Sequence, residues 1–255
     1  MTTLLYDGSF NGLLTAIFIA FEYKMYDCSI DTKERYQATM FDSPETVMTD
    51  KLKAQRVWEG LCKKVSNHAR REFYYAFLSG LPGIEDTLLA YVRYAFQNNS
   101  TIEKNFANSV VNMVSQTAHS VHREKHRMEA FVRFIRLQDD LYCAFISPDF
   151  NVLPLVASHF QDRYADQHWL IYDRDRDYGI HHDPQTRLVS DVIIEKSTAD
   201  TSLSTTVHEE EVAYQTLWRS YFDHVNIQER RNIKLHLRHV PKRYWADLTE
   251  KTAGV

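Results

Sequence analysis

The side chains able to do acid–base or binding chemistry crowd between positions 119 and 183. His119, His122 and His126 share one face of a predicted helix over 110–128, with Arg123 beside them. Positions seven apart stand about 10.5 Å apart along a helix axis, and ligand bonds run near ~2 Å, so one ion does not take both His119 and His126. His122 and His126 have the four-residue spacing of a ligand pair, but no third ligand is identifiable. This points to a polar, partly basic face and no metal. Glu124 falls among Val114, Val121 and Met128, so it needs a partner such as Arg127 or Arg133. His126 and His159 are the acid–base candidates, with Asp166 or Asp173 to orient them or hold a metal. In DRDRD (173–177) the alternating arginines argue against a dedicated cation cage. Asp191 with Glu195-Lys196 loosely suggests a nuclease strand, but adjacent residues face opposite sides of a strand.

A second chemistry is nucleic-acid binding. Arg123, Arg127, Arg133, Arg163, Arg176 and Arg243 are the phosphate candidates, with Gln167, Trp169, Tyr172 and Tyr178 beside them for a base. The same rings also suit core packing, and both readings stand for residues 169–178. Tyr244-Trp245, after Lys242-Arg243, favours packing. Basic residues concentrate in 119–136 and 228–243, while 139–183 holds nine aspartates. The basic stretches are either polyanion grips, solvated faces or partners of those aspartates. There is no GxSxG elbow, GxxxxGK[ST] loop or GxGxxG fingerprint. DGSFNG (7–12) either binds an anion at a helix start or simply joins strand to helix.

The chain that must position these groups has 255 residues, 44% apolar and 25% charged, enough for a large core. A net charge of -4 excludes a uniformly basic nucleic-acid coat. Three widely spaced cysteines, Cys28, Cys62 and Cys143, fit a reducing cytoplasm and exclude an iron–sulfur motif. The longest apolar run, Leu13 to Phe21, is too short to span a bilayer, and no basic region precedes it, so neither a membrane span nor a signal peptide is expected.

Strands are predicted at 3–6, within 28–41, and at 168–173, 178–182 and 188–196. FVRFIRL (131–137) and LYCAFI (141–146) form a predicted hairpin around Gln138-Asp139-Asp140. Helices are predicted at 12–22, 49–65, 70–78, 84–96, 110–128, 152–164 and 207–224, and from about Gln228 to Pro241. Ser100 with Glu103 and Thr206 with Glu209 have capping-box spacing, and 197–204 is a polar loop. The expected fold is α+β: a helical bundle portion (about 49–128) and a small, mainly antiparallel sheet (about 129–205) closed by C-terminal helices, in one domain over 1–255.

Several stretches together resemble a bacterial family of DNA-metabolism or DNA-repair proteins whose domain has no assigned function. They are YDGSFNGLLTAIF, TDKLKAQRVWEGL, REKHRMEAFVRF (123–134), PDFNVLPLVASHFQDRYADQHWLIYDRDRDYG (148–179) and ERRNIKLHLRHVPKRYWADLTE (229–250). The matching positions include His126, Arg127, Arg133, His159, Phe160, Arg163, Asp166, Gln167, Trp169, Tyr172, Asp173 and Tyr178, then Pro241, Arg243, Tyr244 and Trp245. The resemblance implies a radical-SAM partner resembling photoproduct-lyase-type enzymes. It also implies kinship with domains fused to uracil-DNA glycosylase-like domains. Both point to damaged or modified DNA, single-stranded or lesion-bearing. It implies no cofactor in this chain, since the iron–sulfur chemistry belongs to the partner, and no catalytic residue set. Three functions remain open: a DNA-binding accessory protein, an enzyme acting on nucleic acid, and an assembly subunit without DNA affinity.

Overall fold

A computed structural model describes residues 2–38, 43–98, 101–193, 207–225 and 232–251. Ser100, Thr206, the 197–204 loop, Gln228, Arg230 and Arg231 lie outside the described residues. The chain divides into two compact units, Met1–His122 and Arg123–Val255.

The first unit opens with β1 (Thr2–Tyr6), which turns through Asp7-Gly8 into α1 (Phe10–Glu22). Ser9 caps α1, its hydroxyl accepting from the Gly12 amide. β2 (Cys28–Thr32) and β3 (Ser43–Thr46) then lie parallel to β1 on either side, in the order β2-β1-β3. α2 (Lys51–Cys62), α3 (Asn67–Leu78) and α4 (Ile84–Gln97) follow. Asp50 and Ser66 cap α2 and α3. Leu4, Tyr6, Leu13, Ile17, Leu61, Phe73, Leu88 and Tyr91 are buried in one core. The parallel sheet adds to the expected helical portion. Strands are expected at 3–6 and within 28–41, which take in β1 and β2, while β3 lies outside both ranges.

α5 (Ser109–Phe131) begins at Asn108, whose side-chain oxygen accepts from the Val110 and Val111 amides. Val111, Val114, Ala118, Val121 and Met128 form its buried stripe. The helix outruns the expected end at Met128 by one turn, so only Ile135–Arg136 (β4) and Tyr142–Ile146 (β5) remain as the hairpin. Asp140, at φ 62°, makes the turn.

In the second unit the strand order is β4-β5-β6-β7-β8, with β6 (Trp169–Asp173), β7 (Tyr178–Asp183) and β8 (Leu188–Val192). Three of the four pairings are antiparallel, as the sequence pattern anticipates. β5 and β6 are parallel because α6 (Leu153–Arg163) makes the crossover between them. Every residue of β6 is buried, which explains its unbroken apolar run WLIY. α7 (Glu211–Val225) starts later than predicted, because Val207 bridges to Leu137 and the His208 amide donates to the Arg136 carbonyl. α8 (Ile233–His239) and a 3₁₀ turn (Lys242–Asp247) complete the unit. Among the described residues no helix is long and apolar enough to cross a membrane.

Candidate functional site

The second unit contains a cleft of about 880 Å³. One side is the segment leaving α5, with Arg133, Phe134 and Arg136, and the end of α6, with Arg163, Tyr164 and Gln167. The other side is α7, which contributes Tyr214, Gln215, Leu217, Trp218 and Tyr221. Their spacing of three and four puts them on one helix face. Tyr214, Leu217 and Tyr221 are more than half exposed.

The three arginines of the cleft differ in what already holds them. Arg133 Nη1 donates to the Ala130 and Val132 carbonyls at 2.8 and 3.2 Å, closing the end of α5. Its Nε and Nη2 donate to Glu250 at 3.3 and 2.8 Å. Arg136 donates twice to Asp140 Oδ1, at 2.9 and 2.6 Å, and once to Glu210 at 3.3 Å. Arg163 stands 5.7 Å from the Tyr164 ring and has no carboxylate partner among the described residues. It is the cation with donors to spare.

Glu250 connects the tail to the cleft. Its carboxylate also accepts from Trp218 Nε1 at 2.9 Å, and the Arg133 guanidinium lies 5.5 Å from the Trp218 ring. Burial pushes the Glu250 carboxyl up, but the Arg133 and Trp218 hydrogen bonds outweigh it and leave its pKa below the usual range.

Behind the cleft lies an aromatic layer. Phe134 meets Tyr164 at 5.5 Å and Phe160 at 5.7 Å, both edge-on. Trp169 belongs to this layer: it is fully buried and stacks on His182 at 5.2 Å. Tyr172 is also buried, 6.1 Å from Phe145. Neither ring is presented to a base, so the stacking role expected for both is corrected to core packing. Tyr178 donates to Asn151 Oδ1 at 2.5 Å, and burial pushes its pKa up to about 12.

Of the remaining expected cations, Arg127, Arg176 and Arg243 serve the framework. Glu124, 1% exposed, accepts from Tyr244 Oη at 2.6 Å, Arg243 at 3.0 Å, Arg127 at 3.4 Å and the Asp149 amide at 3.1 Å. The expected Arg127 partner is present, while Arg133 turns elsewhere. Burial, then Glu124 itself, raises the Tyr244 pKa. Arg243 also pairs with Asp149 at 2.6 Å. Arg176 ties Asp173 to the Pro148 and Asp149 carbonyls. Asp173 is buried, and burial raises its pKa despite Arg176. With its Oδ1 also accepting the Asp175 and Arg176 amides, it orients a turn and, among the described residues, no histidine. Asp166 is exposed beyond α6, and Arg123 is exposed on α5.

His126 and His159 do come together, on Glu129. His126 Nδ1 is 3.1 Å from Glu129 Oε2, Lys125 Nζ is 2.6 Å from Oε1, and His159 Nδ1 is 4.0 Å from Oε1. Sequence reasoning missed Glu129, though it follows His126 by three on α5, and the α7 rings, whose signal was their 3–4 spacing. Among the described residues no group of three His, Cys, Asp or Glu is placed to hold a metal ion.

No curated protein matches the chain. A family profile described as a domain of unknown function, DUF4130, matches residues 82–250, well over half of the sequence, and the chain belongs to that family.

Proposed function

We propose that this protein is a DNA-binding accessory protein in the processing of damaged or modified DNA, working beside a radical-SAM enzyme, and that the α7 cleft takes one unpaired nucleotide. The observation that carries the reading is the meeting of Arg163, a cation with no carboxylate partner among the described residues, with accessible rings and two amides in one cleft. Rings of Trp218, Tyr214 or Tyr221 offer faces to an unstacked base, worth about 1–3 kcal/mol per base in related sites. Gln167 and Gln215 offer donors and acceptors to its edge. Arg163 meets a phosphate. The size of the cleft falls in the range of small-molecule pockets, about 300–1,000 Å³, so it suits one nucleotide better than a duplex groove. The radical-SAM partner rests on the family resemblance alone.

Fluorescence anisotropy with a labelled single strand, and with a duplex containing an abasic site, tests this. Arg163→Ala weakens binding and lowers the dependence of log K on log salt by about 0.7, one phosphate contact on a single strand. Equal affinity in wild type and in Arg163→Ala/Trp218→Ala removes the cleft from the reading. Absence of any binding by the wild type removes the DNA-binding role.

A second reading, an enzyme acting on nucleic acid, is favoured by the convergence of His126 and His159 on Glu129, an arrangement suited to proton transfer. Incubation of the purified protein with damaged DNA and divalent ions decides it. Product that disappears in His159→Ala supports it, and no product in any condition removes it.

A further inference from the structure

Glu250 sits where an incoming anion would sit. Arg133 Nε and Nη2 and Trp218 Nε1 point three N–H groups at one carboxylate, at 3.3, 2.8 and 2.9 Å. The Arg133 guanidinium is locked from behind by the Ala130 and Val132 carbonyls, so it stays aimed at this point whether or not Glu250 is there. Both donor residues line the cleft, and so does Thr249, the neighbour of Glu250. The Glu250 side chain is only 6% exposed.

The segment that delivers this carboxylate is anchored short of it. Tyr244 is held by Glu124 and Leu248 is 1% exposed. Beyond Leu248 the ties include Arg219 Nε to the Thr249 carbonyl at 3.2 Å, the Lys251 amide to the Leu248 carbonyl at 2.8 Å, and Lys251 over the Phe222 and Trp245 rings. Swinging out Thr249–Lys251 thus leaves the burial of Leu248 and Tyr244 in place.

We propose that Arg133 and Trp218 form an anion subsite of the cleft, of phosphate-binding chemistry, which the chain's own Glu250 occupies as an internal competitor. A phosphate that takes the subsite replaces the carboxylate on the same three N–H groups and frees Thr249–Lys251 from it. The inference deepens the nucleotide reading, in that the phosphate would be one of the strand's, in the same cleft as Arg163. The subsite itself does not require a strand.

Two measurements separate the inference from that reading. In the first, the Trp218 indole N–H resonance, assigned by its loss in Trp218→Phe, is followed during titration with inorganic phosphate. Glu250→Gln keeps the shape and an acceptor oxygen but removes the competing charge. Glu250→Asp keeps the charge on a shorter arm. A site that is open for only a fraction of the time binds more weakly by that fraction, so Glu250→Gln and Glu250→Asp should bind phosphate at least about tenfold more tightly than wild type. Equal titrations in wild type and both variants, or no saturable shift in either variant, overturn the inference. A tie that merely holds the tail predicts unchanged or weaker binding. In the second measurement the same proteins are titrated with a labelled single strand. Phosphate binding unmasked by Glu250→Gln without strand binding upholds the subsite and removes the nucleic-acid reading. Strand binding with no phosphate response in Glu250→Gln upholds that reading and overturns the subsite.

Discussion

Replacing Glu124 with Ala should be among the most destabilising changes in the second unit. Glu124 is a carboxylate on the apolar face of α5, and its burial is tolerated because every partner supplies a donor. Removing it leaves Tyr244 Oη, in a residue 3% exposed, and the Asp149 amide without their acceptor. Each orphaned group costs about 1–3 kcal/mol. Arg243 keeps Asp149, and Arg127 is exposed enough to turn to water, so neither adds much. The sum is about 2–6 kcal/mol, which brackets the ~3–5 kcal/mol usual on breaking a buried pair from one side. Tyr244→Phe alone should cost about 1 kcal/mol, because the carboxylate keeps its guanidinium partners. The double variant should cost less than the two singles added, by about 1–2 kcal/mol, because Phe has no hydroxyl to orphan. Urea unfolding followed by tryptophan emission measures all three, with Trp245 adjacent to the lost contact. A Glu124→Ala cost below about 1 kcal/mol, or simple additivity, would refute the account of Glu124 as the anchor of the C-terminal segment.

Three further outcomes follow from the same geometry. Trp169→Ala should cost about 3–5 kcal/mol as a core deletion, while the protein that remains folded binds the labelled strand as wild type does; selective loss of binding at full stability would restore Trp169 to the site. Gly179→Ala brings a Cβ to 2.7 Å from the Ile171 carbonyl oxygen and 3.1 Å from Tyr172 Cδ2, so its urea midpoint should fall by an amount equivalent to about 1–3 kcal/mol; an unchanged midpoint would mean β7 shifts freely. Because the Glu250 pKa is lowered on folding, its contribution is present above the ordinary glutamate pKa and is lost as pH falls through the folded value, so the stability gap between wild type and Glu250→Gln should narrow on acidification; a gap that widens at low pH contradicts the direction.

What was legible in the sequence divides along physical lines. Local signals located elements well: helical spacing places α2 and α3 to within a few residues, and the run WLIY announces a strand, though not that both its faces are buried. The α+β class follows from them. Pairing is a long-range property, so the parallel sheet β2-β1-β3 and the crossover through α6 left little local trace. At the site, Arg133, Arg163 and Gln167 do converge in the cleft, as charge and ring proximity along the chain suggested. Trp169 and Tyr172 do not, because alternation along β6 says nothing about whether its outer face is also covered. Glu250 and the α7 rings escaped notice because they are far along the chain from 123–179, and what unites them is tertiary contact with Arg133.

The pairing pattern also decides what kind of binding the proposed site can support. Arg127, Arg133, Arg136, Arg176 and Arg243 each face a carboxylate of this same chain, so the basic stretch 119–136 is largely neutralised where it folds. With a net charge of -4, the protein has little long-range pull on a polyanion. A strand held here is therefore held mainly by rings and a few fixed donors. The expected signature is a salt slope near that of one or two phosphates, about 0.7 each, with a strong preference for unpaired over duplex DNA, since only an unstacked base presents its face. A steep slope, equivalent to six or more phosphates, would mean that the strand runs along some other surface and that the cleft is incidental to it.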